Sequence, residues 1–111
     1  MKSKTLALSG STNASVSFTG TTTSDTYIDN FGTSRTRSRT ERFGKIDVVN
    51  IDGGGIIYIR VDGTNPTVGG DNAYVVPALK DAQVSIPVDS SAITVRLISS
   101  AGASVAVIAN W

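Results

Sequence analysis

The side chains whose chemistry stands out are arginines in the run TSRTRSRTER, which extends from Thr33 to Arg42. Arg35, Arg37 and Arg39 recur at every second position, so in a β-strand all three project from the same face. A guanidinium group pairs bidentately with carboxylate or phosphate, so this face favours polar contact with an acidic partner. Because no apolar residue interrupts the run, it predicts an edge strand, an exposed arm or a loop, and not a strand of the core.

Three interpretations of this arginine run stay open from the sequence. The run is a solvated edge that deters sheet-to-sheet aggregation, a contact with another protein subunit or, last in order, a nucleic-acid contact. Glu41 has the same parity as the arginines and is expected to neutralise them in part. No aromatic residue is interleaved in the run, so a stacking platform for single-stranded nucleic acid is not indicated.

The sequence lacks the residue types on which many catalytic and metal sites depend. It contains no histidine and no cysteine, which excludes serine–histidine and cysteine–histidine mechanisms and any thiolate metal site. The aspartates lie beside turn residues and do not form the alternating ligands of a calcium loop. A carboxylate pair for sugar hydrolysis stays open, because the separation of two carboxylates is a matter of the fold. We expect no enzyme, no metal site and no other cofactor.

The elements that carry these side chains are predicted to be short antiparallel strands. Between residues 45 and 76, three apolar runs rich in Val, Ile and Tyr alternate with glycine-rich breaks. The whole pattern predicts seven to nine short strands in a single-domain antiparallel β-sandwich or jelly-roll-like barrel over residues 1–111. Within this all-β domain, residues 19–44 are predicted to be a polar, Arg-rich loop or arm.

The segments on either side of this centre give shorter patterns. Residues 4–8 and 14–18 alternate around a turn-like stretch and predict a first hairpin. Residues 19–25 are polar and predict a loop. Pro87 lacks a backbone donor and predicts an edge position for its strand. A short apolar patch between the predicted loop and the arginine run consists of Tyr27, Ile28 and Phe31.

Several of the central strands are apolar on both faces. In the run IIYIRV, Ile57 and Ile59 are predicted to face the core, whereas Ile56 and Tyr58 face outward. We leave open whether the chain itself or another subunit covers the outer face. Two alternatives likewise apply to Trp111, which is predicted either to seal the core or to anchor the chain in a neighbour.

Charge and hydropathy narrow the expected partners. The net charge is +1, divided into +3 over residues 1–44 and −2 over residues 45–111. So small a net charge does not steer the chain to nucleic acid or membrane, and we expect neither as a specific partner. No apolar run approaches the ~20 residues that cross a bilayer, and the start lacks the apolar region of a signal peptide, about 7–15 residues long. We therefore expect a protein made in the cytoplasm.

Two stretches of the sequence resemble a segment of small virion proteins of tailed bacteriophages. They are IIYIRVDGTNPTVGGDNAYVVPA, which begins at Ile56, and TVRLISSAGA, which begins at Thr94. Together they cover less than half of the chain and leave out the arginine run. The resemblance implies a capsid decoration, or cement, protein on the virion surface, made in the host cytoplasm. It would bind the major capsid protein as a homo-oligomer, a trimer or a dimer.

The resemblance also sets expectations for the residues that make these contacts. Polar contacts are expected at Arg35, Arg37, Arg39 and Arg42, and apolar anchoring is expected at Ile56, Tyr58 and Trp111. Two alternatives remain beside the decoration protein. One is a head–tail joining or tail/fibre structural component, and the other is a glycan-binding module of a fibre.

Overall fold

The computed structural model describes residues 1–51 and 54–110, without the side chains of residues 87–89. These residues form ten strands joined by turns, and no helix occurs among them. The strands are β1 (Lys2–Leu8), β2 (Ala14–Thr19), β3 (Thr22–Ile28), β4 (Ser34–Thr40), β5 (Phe43–Asn50), β6 (Ile57–Arg60), β7 (Tyr74–Val76), β8 (Asp81–Ser90), β9 (Ala92–Ser99) and β10 (Ala103–Asn110).

The strands form two four-stranded sheets and one separate hairpin. Sheet 1 has the order β1-β10-β5-β8, sheet 2 has the order β2-β9-β6-β7, and β3 pairs with β4. All of these pairings are antiparallel. The predicted all-β antiparallel fold is therefore confirmed, as two sheets that do not close into a barrel. The strands number ten and not seven to nine, and one of them, β3, occupies much of the segment that was predicted to be a loop.

The two sheets enclose one apolar core because their strands alternate between inward and outward residues. In β10 every second residue from Ala103 to Ala109 is buried, and β5 alternates in a similar way. Phe18 of sheet 2 and Phe43 of sheet 1 meet across the core with ring centroids 6.4 Å apart and planes inclined by 56°. These two rings lie at the end of the sandwich from which β3 and β4 project. The hairpin is therefore attached to a closely packed part of the core.

The predicted facing of the central strand β6 is confirmed. Ile57 and Ile59 are fully buried, whereas Ile56 is 39% exposed and Tyr58 lies on the outer face of sheet 2. The predicted edge position of Pro87 is also confirmed, because β8 is the outermost strand of sheet 1. Alternation and the chemistry of proline are local signals, and both were sufficient here.

The first two strands do not form the predicted hairpin, so that prediction is wrong. β1 pairs with β10 and β2 pairs with β9, which places the two strands in different sheets. Residues 9–13 carry the chain across, and Ser11, with φ 58°, donates its backbone N–H to the carbonyl oxygen of Ser99 at 2.8 Å. The partners of β1 and β2 are thus β10 and β9, two strands near the end of the chain with regular apolar alternation.

Candidate functional site

The arginine run lies in a hairpin that projects from the sandwich. We call β3, β4 and the turn between them, residues 22–40, the arm. Every residue of its two seven-residue strands is exposed, and among the described residues neither strand pairs with sheet 1 or sheet 2. Seven residues of strand extend about 23 Å, which accounts for much of the molecule's 62 Å length against a width of 23 Å.

One face of the arm combines the predicted arginines with an aromatic ring. The register places Arg35 opposite Tyr27 and Arg37 opposite Asp25, with Arg39 following on the same face. The guanidinium carbon of Arg37 lies 5.2 Å from the centroid of the Tyr27 ring, which is a cation–π geometry. The run itself contains no aromatic residue, but the opposite strand supplies one.

The other face of the arm is almost entirely hydroxyl. Side-chain hydrogen bonds of 2.9 Å join Thr22 to Thr40 and Ser24 to Ser38 across the two strands. Such cross-strand pairs fix the register of a hairpin that has no apolar core beneath it. The hydroxyl face therefore holds the arginine face in a defined arrangement.

The turn at the far end of the arm is organised by one carboxylate. Oδ1 of Asp29 accepts hydrogen bonds from the backbone N–H groups of Phe31 and Thr33, each at 2.9 Å. Gly32, with φ 79°, occupies the left-handed conformation that glycine adopts at little cost. Nε of Arg35 donates to Oδ2 of Asp29, and this bond is the main reason that the pKa of Asp29 is lowered. Arg35 is thus engaged within the arm.

The base of the arm is tied to the sandwich through Glu41. Oε1 of Glu41 accepts from the backbone N–H of Thr21 at 3.2 Å, which is the main cause of its lowered pKa. The same carboxylate lies 3.5 Å from the amino group of Met1 and 3.7 Å from Nζ of Lys2. The ion pairs of Glu41 are thus with the Met1 amino group and Lys2, although Glu41 and Arg39 line the same cleft.

The charge that remains on the arm is consequently basic. Within the described residues, neither Arg37 nor Arg39 forms an ion pair. Arg42 lies beyond the arm, exposed in the link between β4 and β5. Asp25 lies opposite Arg37 on the same face as Arg35, Arg37 and Arg39, so this face of the arm keeps an excess of positive charge.

The predicted apolar contacts lie at the opposite end of the sandwich. Tyr58 is opposite Val75 on one side and Ile98 on the other, on the outer face of sheet 2. The arm follows β2, whose last residue, Thr19, pairs with Ala92 at the other end of β9. The structure therefore does not bring Tyr58 and its neighbour Ile56 together with the arginines. Trp111 lies outside the described residues.

Two carboxylates lie near each other at the base of the arm. A polar cleft at the base of the arm is lined by Asp25 and Glu41 among other polar side chains. The acid of a glycosidase needs a raised pKa, whereas the pKa of Glu41 is lowered, so Glu41 is ionised at neutral pH. Within residues 1–51 and 54–110, no group of three His, Cys, Asp or Glu side chains gathers as a metal site would require.

The turn interpretation of the aspartates is supported by Asp62. Its Oδ1 accepts from the backbone N–H of Thr64 at 3.1 Å and from the Thr64 hydroxyl at 2.7 Å. Arg60 pairs with the same carboxylate and is the main cause of its strongly lowered pKa. This carboxylate is therefore used to close a turn.

The fold and the arm define an all-β protein of two packed sheets that presents a separate, basic hairpin. Comparison of the chain with protein-family models, with curated proteins and with solved structures finds no match. The described part of the chain contains no helix capable of spanning a membrane.

Proposed function

We propose that this protein is a structural protein of a tailed-bacteriophage virion, most specifically a capsid decoration (cement) protein that binds the major capsid lattice. The observation that carries the proposal is the arm, in which every strand residue is exposed and two arginines form no ion pair with any other described residue. An isolated two-stranded hairpin is only marginally stable in water. Its exposed length is therefore best explained by contacts with another protein.

The resemblance to small phage virion proteins supplies the virion setting, and the positions of the two surfaces suit a protein that bridges subunits. The arginines lie on the arm, whereas Ile56 and Tyr58 lie at the other end of the sandwich. A molecule 62 Å long can touch two neighbouring capsid subunits with these ends. We expect Arg35 to contribute through the shape of the turn, and Arg37 and Arg39 through direct contacts with carboxylates.

The stabilisation follows from mass action. A ligand that binds only the assembled lattice stabilises it by RT ln(1 + [L]/Kd), which is about 2.7 kcal/mol at a hundredfold excess over Kd. Many copies on one shell add their contributions, and a dimer or trimer gains further through simultaneous attachment. No cofactor, nucleic acid or membrane takes part in this mechanism.

A glycan-binding module is the second candidate, and exposed aromatic rings favour it. Tyr27 is 41% and Tyr74 is 50% exposed, and sugars stack on such rings. Tyr74 belongs to the short edge strand β7 of sheet 2, whereas Tyr27 belongs to β3 of the arm. The two rings are therefore carried by different elements.

The test is addition of the purified protein to expanded heads that lack it, followed by sedimentation. The proposal predicts saturable, stoichiometric binding that is reduced when a short Gly-Ser link replaces residues 22–40. Replacing both strands avoids leaving one strand unpaired. Circular dichroism should show that the sandwich remains folded. Binding to host cells or polysaccharide with no binding to heads would support the glycan candidate and overturn the proposal.

A further inference from the structure

The turn of the arm carries the most exposed large apolar side chain among the described residues. Phe31 is 89% exposed, and Ile28, where β3 ends, is 66% exposed. Both side chains lie at the end of a hairpin that does not pack on either sheet. Burial of this ring against apolar surface therefore has to come from another molecule. Aromatic side chains in such positions are frequent hot spots of protein interfaces.

The ring is presented by a turn that is already organised. Asp29 accepts from the backbone N–H groups of Phe31 and Thr33, and the backbone N–H of Gly32 donates to the carbonyl oxygen of Asp29 at 3.1 Å. Arg35 fixes the same carboxylate from β4. A preorganised segment loses less conformational entropy on binding, so a single ring can contribute strongly to affinity.

The charge beside the ring indicates the chemistry of the partner. The charge of Arg35 is compensated by Asp29, whereas Arg37 lies over the Tyr27 ring and Arg39 has no ion pair among the described residues. The arm therefore presents an exposed aromatic ring in its turn and the cationic side chains of Arg37 and Arg39 along one face of its strands. A complementary surface is apolar at its centre and bears carboxylates at its rim.

We propose that Phe31 anchors the arm by inserting into an apolar, carboxylate-rimmed socket on a neighbouring virion protein. This inference rests on the proposed function and names the chemistry of its binding site. A protein is favoured over a lipid surface because one phenylalanine and one isoleucine give little apolar area for membrane attachment.

The experiment compares Phe31→Ser with the wild-type protein and with Val68→Ser in sedimentation with expanded heads that lack the protein. Val68 is an exposed apolar residue outside the arm, 42% exposed, and is the matched control. We expect binding to weaken about tenfold or more for Phe31→Ser and to change by less than about twofold for Val68→Ser. Phe31→Leu, which keeps an apolar side chain in the same turn, should retain most of the affinity.

The possible outcomes separate the inference from the function on which it rests. If wild-type protein and Phe31→Ser bind heads equally, the anchor is wrong while the proposed function stands. If the wild-type protein does not bind heads, the proposed function is wrong, and a virion protein is then also wrong as the partner of Phe31. Binding that depends on Phe31 but occurs on vesicles of phosphatidylglycerol and phosphatidylcholine, and not on heads, would replace the protein socket with a lipid surface.

Discussion

Gly20 and Glu41 meet at the base of the arm so closely that a side chain on Gly20 would overlap the backbone of Glu41. A Cβ atom built on Gly20 collides with the carbonyl oxygen of Glu41, and that oxygen belongs to the main chain. The backbone N–H of Gly20 also donates to the carbonyl oxygen of Ser91 at 2.6 Å. This close approach joins the outgoing and returning chains where the arm leaves the sandwich.

We predict that Gly20→Ala destabilises the protein, because the overlap can be relieved only by moving backbone. Overpacking of this kind costs about 1–3 kcal/mol. The control is Gly102→Ala, whose new Cβ would lie 3.7 Å from the carbonyl oxygen of Leu8, an ordinary contact. Urea unfolding should give a clear loss for Gly20→Ala and a change within about 0.5 kcal/mol for Gly102→Ala. Equal stabilities would show that the base of the arm is not closely packed.

The order of the turn is predicted to depend on acid pH through Asp29. The pKa of Asp29 is lowered in the folded turn, chiefly by the hydrogen bond from Arg35, from its ordinary value of 3.8. Because the pKa is lowered, the ionised carboxylate stabilises the turn fully above the ordinary value of 3.8. This stabilisation is lost as the pH falls through the pKa of the folded state. The amide resonances of Phe31 and Thr33 should therefore stay constant from neutral pH to about 5 and shift below 3.8.

The variant Asp29→Asn is the control for this titration. An asparagine can still accept the two backbone hydrogen bonds, but it does not titrate and does not pair with the charge of Arg35. The low-pH shift of the Phe31 and Thr33 amides should disappear in this variant. A wild-type protein whose two amides are insensitive to acid would contradict the role given to the Asp29 carboxylate.

The basic face of the arm is predicted to contribute affinity and salt dependence to attachment. Arg37→Glu combined with Arg39→Glu should weaken binding to heads by roughly tenfold or more, because like charges would then face a carboxylate-bearing surface. The matched control is Lys45→Glu with Lys80→Glu, which makes the same change of net charge at exposed sites outside the arm. Binding measured at several salt concentrations should separate the pairs. An equal effect of both pairs would point to net charge alone.

Truncation of Ile59, which faces the core, and of Ile56, which lies just before β6, is predicted to cost very different amounts of stability. Ile59 is fully buried, so Ile59→Ala should lower the free energy of unfolding by about 2–5 kcal/mol. Ile56 is 39% exposed, and Ile56→Ala should cost less than about 1 kcal/mol. If Ile56 belongs to a second capsid contact, the same variant should weaken attachment while leaving the unfolding midpoint almost unchanged. A stable Ile59→Ala protein would contradict the packing described for the core.

The core strands were predictable because burial imposes a period on the sequence. The outward facing of Tyr58 and the inward facing of Ile57 follow from alternation alone. The pairing of β1 with β10 was not predictable, since alternation identifies strands but not their distant partners. Residues 9–13 read as a hairpin turn, although in the structure they cross between sheets.

The arm was only partly predictable for a related physical reason. The strand β3, TTSDTYI, is exposed at every residue, so it has no buried face to mark it in the sequence. Its signal lies in its equal length to β4 and in the turn residues Asp29 and Gly32 between them. Phe31 was seen as part of an apolar patch, but its exposure at the end of the arm depends on the hairpin.

Hydrogen–deuterium exchange of the protein, free and bound to heads, tests the central claim that the arm is the attachment surface. Amides of an isolated, exposed hairpin exchange readily, and they slow when a partner covers them. The account predicts strong protection of residues 22–40 on binding, greatest around Phe31, with little change in the core strand β10. Bound protein whose arm exchanges as fast as in the free state would contradict the account, whatever protection occurs elsewhere in the chain.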